Sequence, residues 1–141
     1  MKECHHTPGH LINIISNKLK RSADENLIHE NVTIEQVQVL KMIHQNGGSV
    51  FQKDIEREFG VRRSTVTSAM QILEKKGFIV RTTSPEDSRA KLVTLTKEGE
   101  EKNTKLISFI KERDEKILSA LSSEEQKALI KLLTKVLNNI E

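Results

Sequence analysis

The stretch from Phe51 to Thr96 leaves the chain few folds to choose from. A short segment with Phe51, Ile55 and Phe59 on one helical side runs into Gly60. A second segment with Val66, Ala69, Met70 and Leu73 on one face follows at once and ends at Gly77. The period then changes from helical to extended. Phe78-Ile79-Val80-Arg81-Thr82-Thr83 and Leu92-Val93-Thr94-Leu95-Thr96 are β-branched and apolar, and turn residues lie between them in Ser84-Pro85-Glu86-Asp87-Ser88-Arg89. Two helices joined by a tight, glycine-containing turn form a helix-turn-helix. The segment after it reads as a β-hairpin with an extended tip.

Helical patterns flank this unit on both sides. Leu11, Ile15, Leu19, Ala23 and Leu27 recur every four positions and predict an amphipathic helix. Thr33 and Gln36 have capping-box spacing and open a helix with Ile34, Val37, Leu40 and Ile43 on its face, ended by Asn46-Gly47-Gly48. Ser49 and Gln52 repeat that spacing and are expected to open the short helix that Gly60 stops. Beyond the hairpin, one long helix carries Leu106, Ile110, Ile117 and Leu121. A last helix, capped by Ser122 with Glu125, carries Leu129, Leu132, Leu133, Val136 and Ile140.

Composition narrows the class further. The 141 residues suit one domain, and with neither Trp nor Tyr and only 4 Phe, the core must rest on Leu, Ile and Val. No apolar run approaches the ~20 residues that cross a bilayer. The opening Met1-Lys2-Glu3-Cys4-His5-His6 has no apolar core of a secretory leader. A single cysteine forms no disulfide framework. A soluble cytoplasmic protein without a membrane partner is expected. No Gly-rich phosphate loop, nucleophile elbow, paired-carboxylate motif or Ser-His-Asp arrangement is present, so no enzyme and no cofactor are expected.

The net charge of +3 lies in one place. Residues 53–91 hold nine basic groups against six acidic ones, whereas the segments before and after are balanced. A local basic excess on a helix-turn-helix is the electrostatic footprint of a nucleic-acid face. With Val66 to Leu73 buried, Ser64, Ser68, Gln71 and Lys75 point away from the core, Thr67 lies at the flank, and Arg62, Arg63 and Thr65 lie at or beside the N-terminal end. Short hydroxyls let a helix approach a duplex and donate to phosphates. Arg bridges O6 and N7 of guanine, and Gln pairs in the same two-point way with adenine. At the hairpin tip two arrangements are open. Asp87 and Arg89 pair and stiffen the loop, or Arg89 reaches into a minor groove, where narrow A/T tracts concentrate negative potential. An exposed ion pair adds only ~0–1 kcal/mol, so DNA contact explains the arginine better than stability does.

Three stretches carry a family resemblance: Val61-Arg62-Arg63-Ser64-Thr65-Val66-Thr67, Leu73-Glu74-Lys75-Lys76-Gly77-Phe78-Ile79-Val80-Arg81 and Asp87-Ser88-Arg89-Ala90-Lys91-Leu92-Val93-Thr94-Leu95-Thr96. The last follows a wing pattern of Asp-x-Arg ending in Leu-Thr. From about Leu11 to Ile140 the chain resembles the MarR family of bacterial transcription regulators. The resemblance implies a mainly α fold with a small β-hairpin wing: a winged helix-turn-helix with a helical dimerisation domain. Residues 1–141 would form one MarR-type unit, with 34–96 as the DNA-binding lobe and 10–30 and 97–140 as the dimerisation region. It implies a homodimeric regulator of double-stranded DNA, most often a repressor released by a small effector. The recognition helix would enter the major groove, with Arg89 on the wing reaching the minor groove. The apolar stripes at the two ends of the chain support dimerisation independently, since they can pack together within one subunit and across a two-fold axis. Such a dimer predicts a pseudo-palindromic operator with half-sites ~10 bp apart.

The sensing end of the chain leaves alternatives open. Cys4, His5, His6 and His10 offer four zinc or copper donors within seven residues, and Cys4 beside two histidines is the one candidate thiol for an oxidant. Equally, they form an inert terminal segment. A ligand pocket between the dimer helices and the DNA-binding lobe is a further expectation. The rival function is a helical dimeric interaction module that binds no DNA, which would leave the hydroxyl-rich helix face and Arg89 without a purpose.

Overall fold

The protein is described by a computed structural model covering residues 6–140. Its elements, in chain order, are α1 (Pro8–Leu27), a 3-10 turn (Ile28–Glu30), α2 (Ile34–Gln45), β1 (Ser49–Phe51), α3 (Gln52–Phe59), α4 (Arg63–Lys75), β2 (Ile79–Thr83), β3 (Lys91–Leu95), α5 (Lys97–Leu118) and α6 (Ser123–Asn139). The residues group into two compact units, one running to Ser108 and the other starting at Phe109.

Side-chain caps fix the starts of α1 and α2 in the first unit. Thr7 caps α1 by accepting the His10 N–H, and Pro8 sits in the first turn, where its missing donor costs nothing. The Thr33 hydroxyl accepts the Gln36 N–H at 3.3 Å while the Gln36 side-chain Oε1 accepts the Thr33 N–H at 3.2 Å, so both arms of this capping box form. Of the α1 stripe, Leu27 is buried, whereas Leu11 and Ile15 are exposed.

The hairpin is in fact two-thirds of a three-stranded antiparallel sheet in the order β1-β3-β2. Of the two residues expected to open α3 by capping, Ser49 instead begins the third strand, while Gln52 is the first residue of α3. Ser49 pairs with Thr94 across the sheet, and their hydroxyls lie 2.9 Å apart. Val50 turns into the core, opposite Val93. The N-cap of α3 is Phe51, with no side-chain bond. Burying Val50 and pairing the free edge of β3 outweighs what an exposed Ser cap offers, on the order of 1 kcal/mol.

The sheet and α2, α3 and α4 enclose one core: Val39, Leu40, Ile43, Val50, Ile55, Val66, Met70, Leu73, Ile79, Val93 and Leu95, with Phe59 and Phe78 packed partly against it. The start of α5 is fastened to this core through backbone groups. The Thr96 N–H donates to the Phe78 carbonyl at 3.1 Å, and the Gly99 N–H donates to the Thr96 hydroxyl at 3.1 Å. Gly99 is required by close approach, because a Cβ there would overlap the Phe78 carbonyl oxygen. Glu30 accepts from Lys102 at 3.0 Å and from Lys105 at 3.1 Å, tying the 3-10 turn to the same helix.

In the second unit Ser122 and Glu125 form a complete capping box at the start of α6. The Gln126 amide donates to the carbonyls of Leu118 and Leu121, both at 3.1 Å, closing the turn between the helices. The apolar positions of α6 stay open: Leu132 is 58% and Leu133 45% exposed, and Val136 and Ile140 are exposed as well. Gly99→Ala is expected to destabilise the first unit by about 1–3 kcal/mol, the range for forcing extra volume into packed structure. Denaturant unfolding monitored by circular dichroism measures this; an unchanged midpoint would mean that α5 does not press on Phe78.

Candidate nucleic-acid interface

Gly60 closes α3 at φ 59°, in the left-handed region that glycine adopts without strain, and turns the chain into α4. Val66, Met70 and Leu73 then bury one stripe of α4. Because side chains three and four apart share a helical face, this burial forces the opposite face outward. Arg62, Arg63, Ser64, Thr65, Ser68, Gln71 and Lys75 are all exposed, as their spacing predicts. Thr67, expected at the flank, is half-buried, and its hydroxyl accepts the Gln52 amide N–H at 3.1 Å. The first turn of α4 carries no acidic residue, and the Val66 N–H is the first to bond back, to Arg62. The N–H groups of that turn therefore point outward from a helix end with partial positive charge, which suits a phosphate.

The far end of α4 is anchored. Lys76 donates to the Asn31 carbonyl at 2.6 Å and to Gln36 at 3.1 Å. Burial, and secondarily the charge of Lys102, lowers the pKa of its ammonium. Glu74 accepts both the Arg81 backbone N–H at 3.0 Å and the Arg81 guanidinium at 3.2 Å, joining α4 to β2. That guanidinium bond is the main reason the Glu74 carboxyl is held below its usual range.

At the wing tip the expected side-chain pair of Asp87 and Arg89 does not form. Asp87 Oδ1 accepts the Arg89 backbone N–H at 2.9 Å, the Ala90 N–H donates to the Asp87 carbonyl, and the Ser84 N–H donates to the Ala90 carbonyl. The aspartate thus stiffens the loop through the backbone. Among the described residues it makes no ion pair with the Arg89 guanidinium, and both residues are exposed.

Between the wing tip and the starts of α3 and α4 lies a recess of about 580 Å³, with Gln52, Lys53, Arg63, Arg89 and Lys91 among its lining residues. It brings together Arg63 and Arg89, which the sequence placed on separate elements. It also adds three residues the sequence left unassigned. In the sequence Lys53 and Lys91 stand out only as part of the basic excess, and Gln52 only as half of a capping-box spacing.

Of the candidate metal donors, Cys4 and His5 lie outside the described residues. The His6 and His10 rings sit 4.7 Å apart at the start of α1. Among the described residues no three His, Cys, Asp or Glu side chains are grouped to hold a metal ion, and no helix is long and apolar enough to cross a membrane.

Comparison with known proteins agrees with this geometry. A model of the MarR family matches residues 30–90, the stretch from the 3-10 turn through the wing tip. The chain is 30% identical over 109 residues to the HTH-type transcriptional regulator YdgJ of Bacillus subtilis, an alignment covering 77% of this chain and 66% of that relative's length. The crystal structure of the S. aureus MepR–DNA complex superposes with a TM-score of 0.87 at 29% identity, covering 96% of this chain and 100% of the other. The chain belongs to the MarR family of transcriptional regulators. A further MarR-type structure, the PcaV regulator of Streptomyces coelicolor with its natural ligand, superposes with a TM-score of 0.84 at 25% identity, covering 95% and 94% of the two chains. The expected winged-helix fold is the one observed, with its sheet one strand larger than the hairpin alone.

The Glu74–Arg81 link makes a pH prediction. A carboxyl whose pKa is lower folded than unfolded stabilises the fold above its unfolded pKa and loses that contribution as pH falls through the folded value. Stability should therefore decline on acidification below about pH 4.5, and Glu74→Gln should remove part of that decline. Denaturant midpoints across the acid range test this; identical slopes for the two proteins would contradict it.

Proposed function

We propose that this MarR-family chain is a sequence-specific, double-stranded-DNA-binding regulator that acts as a homodimer. The observation that carries this reading is the outward flank of α4, polar from Arg62 to Lys75, set beside a recess whose four basic side chains outnumber the acidic Glu56 and Asp87, and a wing whose Arg89 has no ion-pair partner among the described residues. In this reading Ser64, Thr65 and Ser68 donate to phosphates, and Arg62, Arg63 and Gln71 reach base edges. Lys75 adds charge along the flank. Thr67, held by Gln52, braces the helix and turns its hydroxyl proton toward the backbone of the duplex. Asp87 fixes the loop that presents Arg89 to the minor groove.

What supports dimerisation is the faces that each unit leaves open, Leu11 and Ile15 on α1 and Leu132, Leu133 and Val136 on α6 with Ile140 just past its end. Apolar surface of this extent is stabilised by a second copy. A two-fold dimer presents two copies of α4 to half-sites ~10 bp apart in a pseudo-palindromic operator. Repression relieved by a small effector is the mode of action that fits this arrangement. Release would require the effector to favour a dimer geometry in which the two copies of α4 no longer match one operator.

The expected result is duplex binding whose affinity falls steeply with salt, each neutralised phosphate adding about 0.9 to the slope of log K against log salt. Arg62→Ala, Arg63→Ala and Arg89→Ala should each weaken binding while the dimer stays folded, and Gln71→Ala should change base preference. Fluorescence anisotropy on a duplex selected from a random pool measures all four. A flat salt response would favour an interaction module that binds no DNA.

A further inference from the structure

Gln52 is the one residue at this face whose polar atoms are divided between two fates. It stands at the start of α3 and is only 8% exposed. Its amide nitrogen donates to Thr67 on α4, while its carbonyl oxygen Oε1 is buried with no hydrogen-bond partner. A buried acceptor left unpaired is costly, and such groups in folded proteins ordinarily find a donor. Gln52 also lines the recess, together with the guanidinium-bearing Arg63 and Arg89.

Helical register selects between the two arginines. Arg63 and Thr67 are four residues apart on α4, so their side chains share a face about one turn apart, with Cβ atoms on the order of 5–6 Å from each other. The group that holds Thr67 is thereby set next to the root of Arg63. Arg89 comes from the wing tip, and no helical register ties it to Thr67. Arg63 has five N–H donors, no acceptor, and no ion pair among the described residues.

We infer that Gln52 is a positioning residue for Arg63: with its amide N–H committed to Thr67, its Oε1 accepts a guanidinium N–H and fixes where that arginine reaches the duplex. The inference rests on the proposed DNA-binding function and names a specificity device within it. One guanidinium N–H goes to Gln52, and the remaining fork is held in a single plane for bidentate contact with a base edge or phosphate. Without the brace the arginine still attracts the duplex by charge, but it no longer favours one base over another.

The test compares wild type, Gln52→Met, Gln52→Glu, Arg63→Ala and the Gln52→Met/Arg63→Ala double variant on a selected duplex and on the same duplex substituted singly at each position. Gln52→Met keeps the shape and removes both the acceptor and the amide donor to Thr67. It should lower discrimination at the positions that Arg63→Ala also affects by about ten-fold, the scale of one charge-assisted hydrogen bond, with little change in the salt slope. Gln52→Glu keeps the acceptor, its second carboxylate oxygen can accept the Thr67 hydroxyl proton in place of the lost amide donor, and it should retain discrimination even where its added negative charge weakens all duplexes alike. In the Arg63→Ala background Gln52→Met should cost no further discrimination. The inference is overturned if Gln52→Met discriminates as wild type does, if its loss adds fully to that of Arg63→Ala, or if Gln52→Glu loses discrimination as well. Thermal unfolding of each variant separates these outcomes from misfolding, and should Gln52→Met not fold, Gln52→Glu still decides. Failure of the wild-type protein to bind any duplex would overturn the DNA-binding reading rather than the role of Gln52.

Discussion

The placement of everything at the candidate interface depends on the burial of Val66, Met70 and Leu73. These three side chains lock α4 in rotation against α2, α3 and the sheet. A helix pinned by three positions on one stripe has no freedom to turn about its axis, so the polar flank faces outward by necessity. Polar links then hold it along its length: Gln52 to Thr67 near the start, Glu74 to Arg81 and Lys76 to Asn31 near the end. Each is modest in free energy, on the order of 1 kcal/mol, but each removes one direction of movement. The result is a rigid rod carrying small hydroxyls and arginines, which is what a groove-reading element requires.

How much of this was legible in the sequence follows from which signals are local. The capping boxes at Thr33 and Ser122 are complete within four residues, and both form as their spacing predicts. The outward set Ser64, Ser68, Gln71 and Lys75 follows from the period of 3.6 once Val66 and Leu73 are taken as buried. Ser49 and Gln52 show where such reasoning stops. Their spacing is the same whether Ser49 ends a loop or a strand, and a three-residue strand leaves no period to detect. What decided between the two was the unpaired edge of β3, more than forty residues away. The Gln52–Thr67 and Glu74–Arg81 bonds were invisible for a related reason: side chains on different elements meet only after the core has set the angle between those elements.

The two ends of the chain are less self-sufficient than its centre. The middle buries a dense apolar core, whereas α6 contributes no buried residue and α1 only Leu27. The helices are nonetheless well formed locally, with Thr7 and Ser122 as caps. Helices with sound ends and open apolar faces are built for packing against something else. The proposed homodimer would supply that packing, since a closed two-fold pair covers the same surface on both subunits.

The central claim is that the outward flank of α4 lies in a groove while the wing lies in the one beside it. Footprinting on a selected duplex with probes for each groove tests it most directly. The expected pattern is two regions of major-groove protection centred about one helical turn apart, each with minor-groove protection on its outer side. Protection confined to the minor groove, or spread evenly without groove preference, would contradict the account.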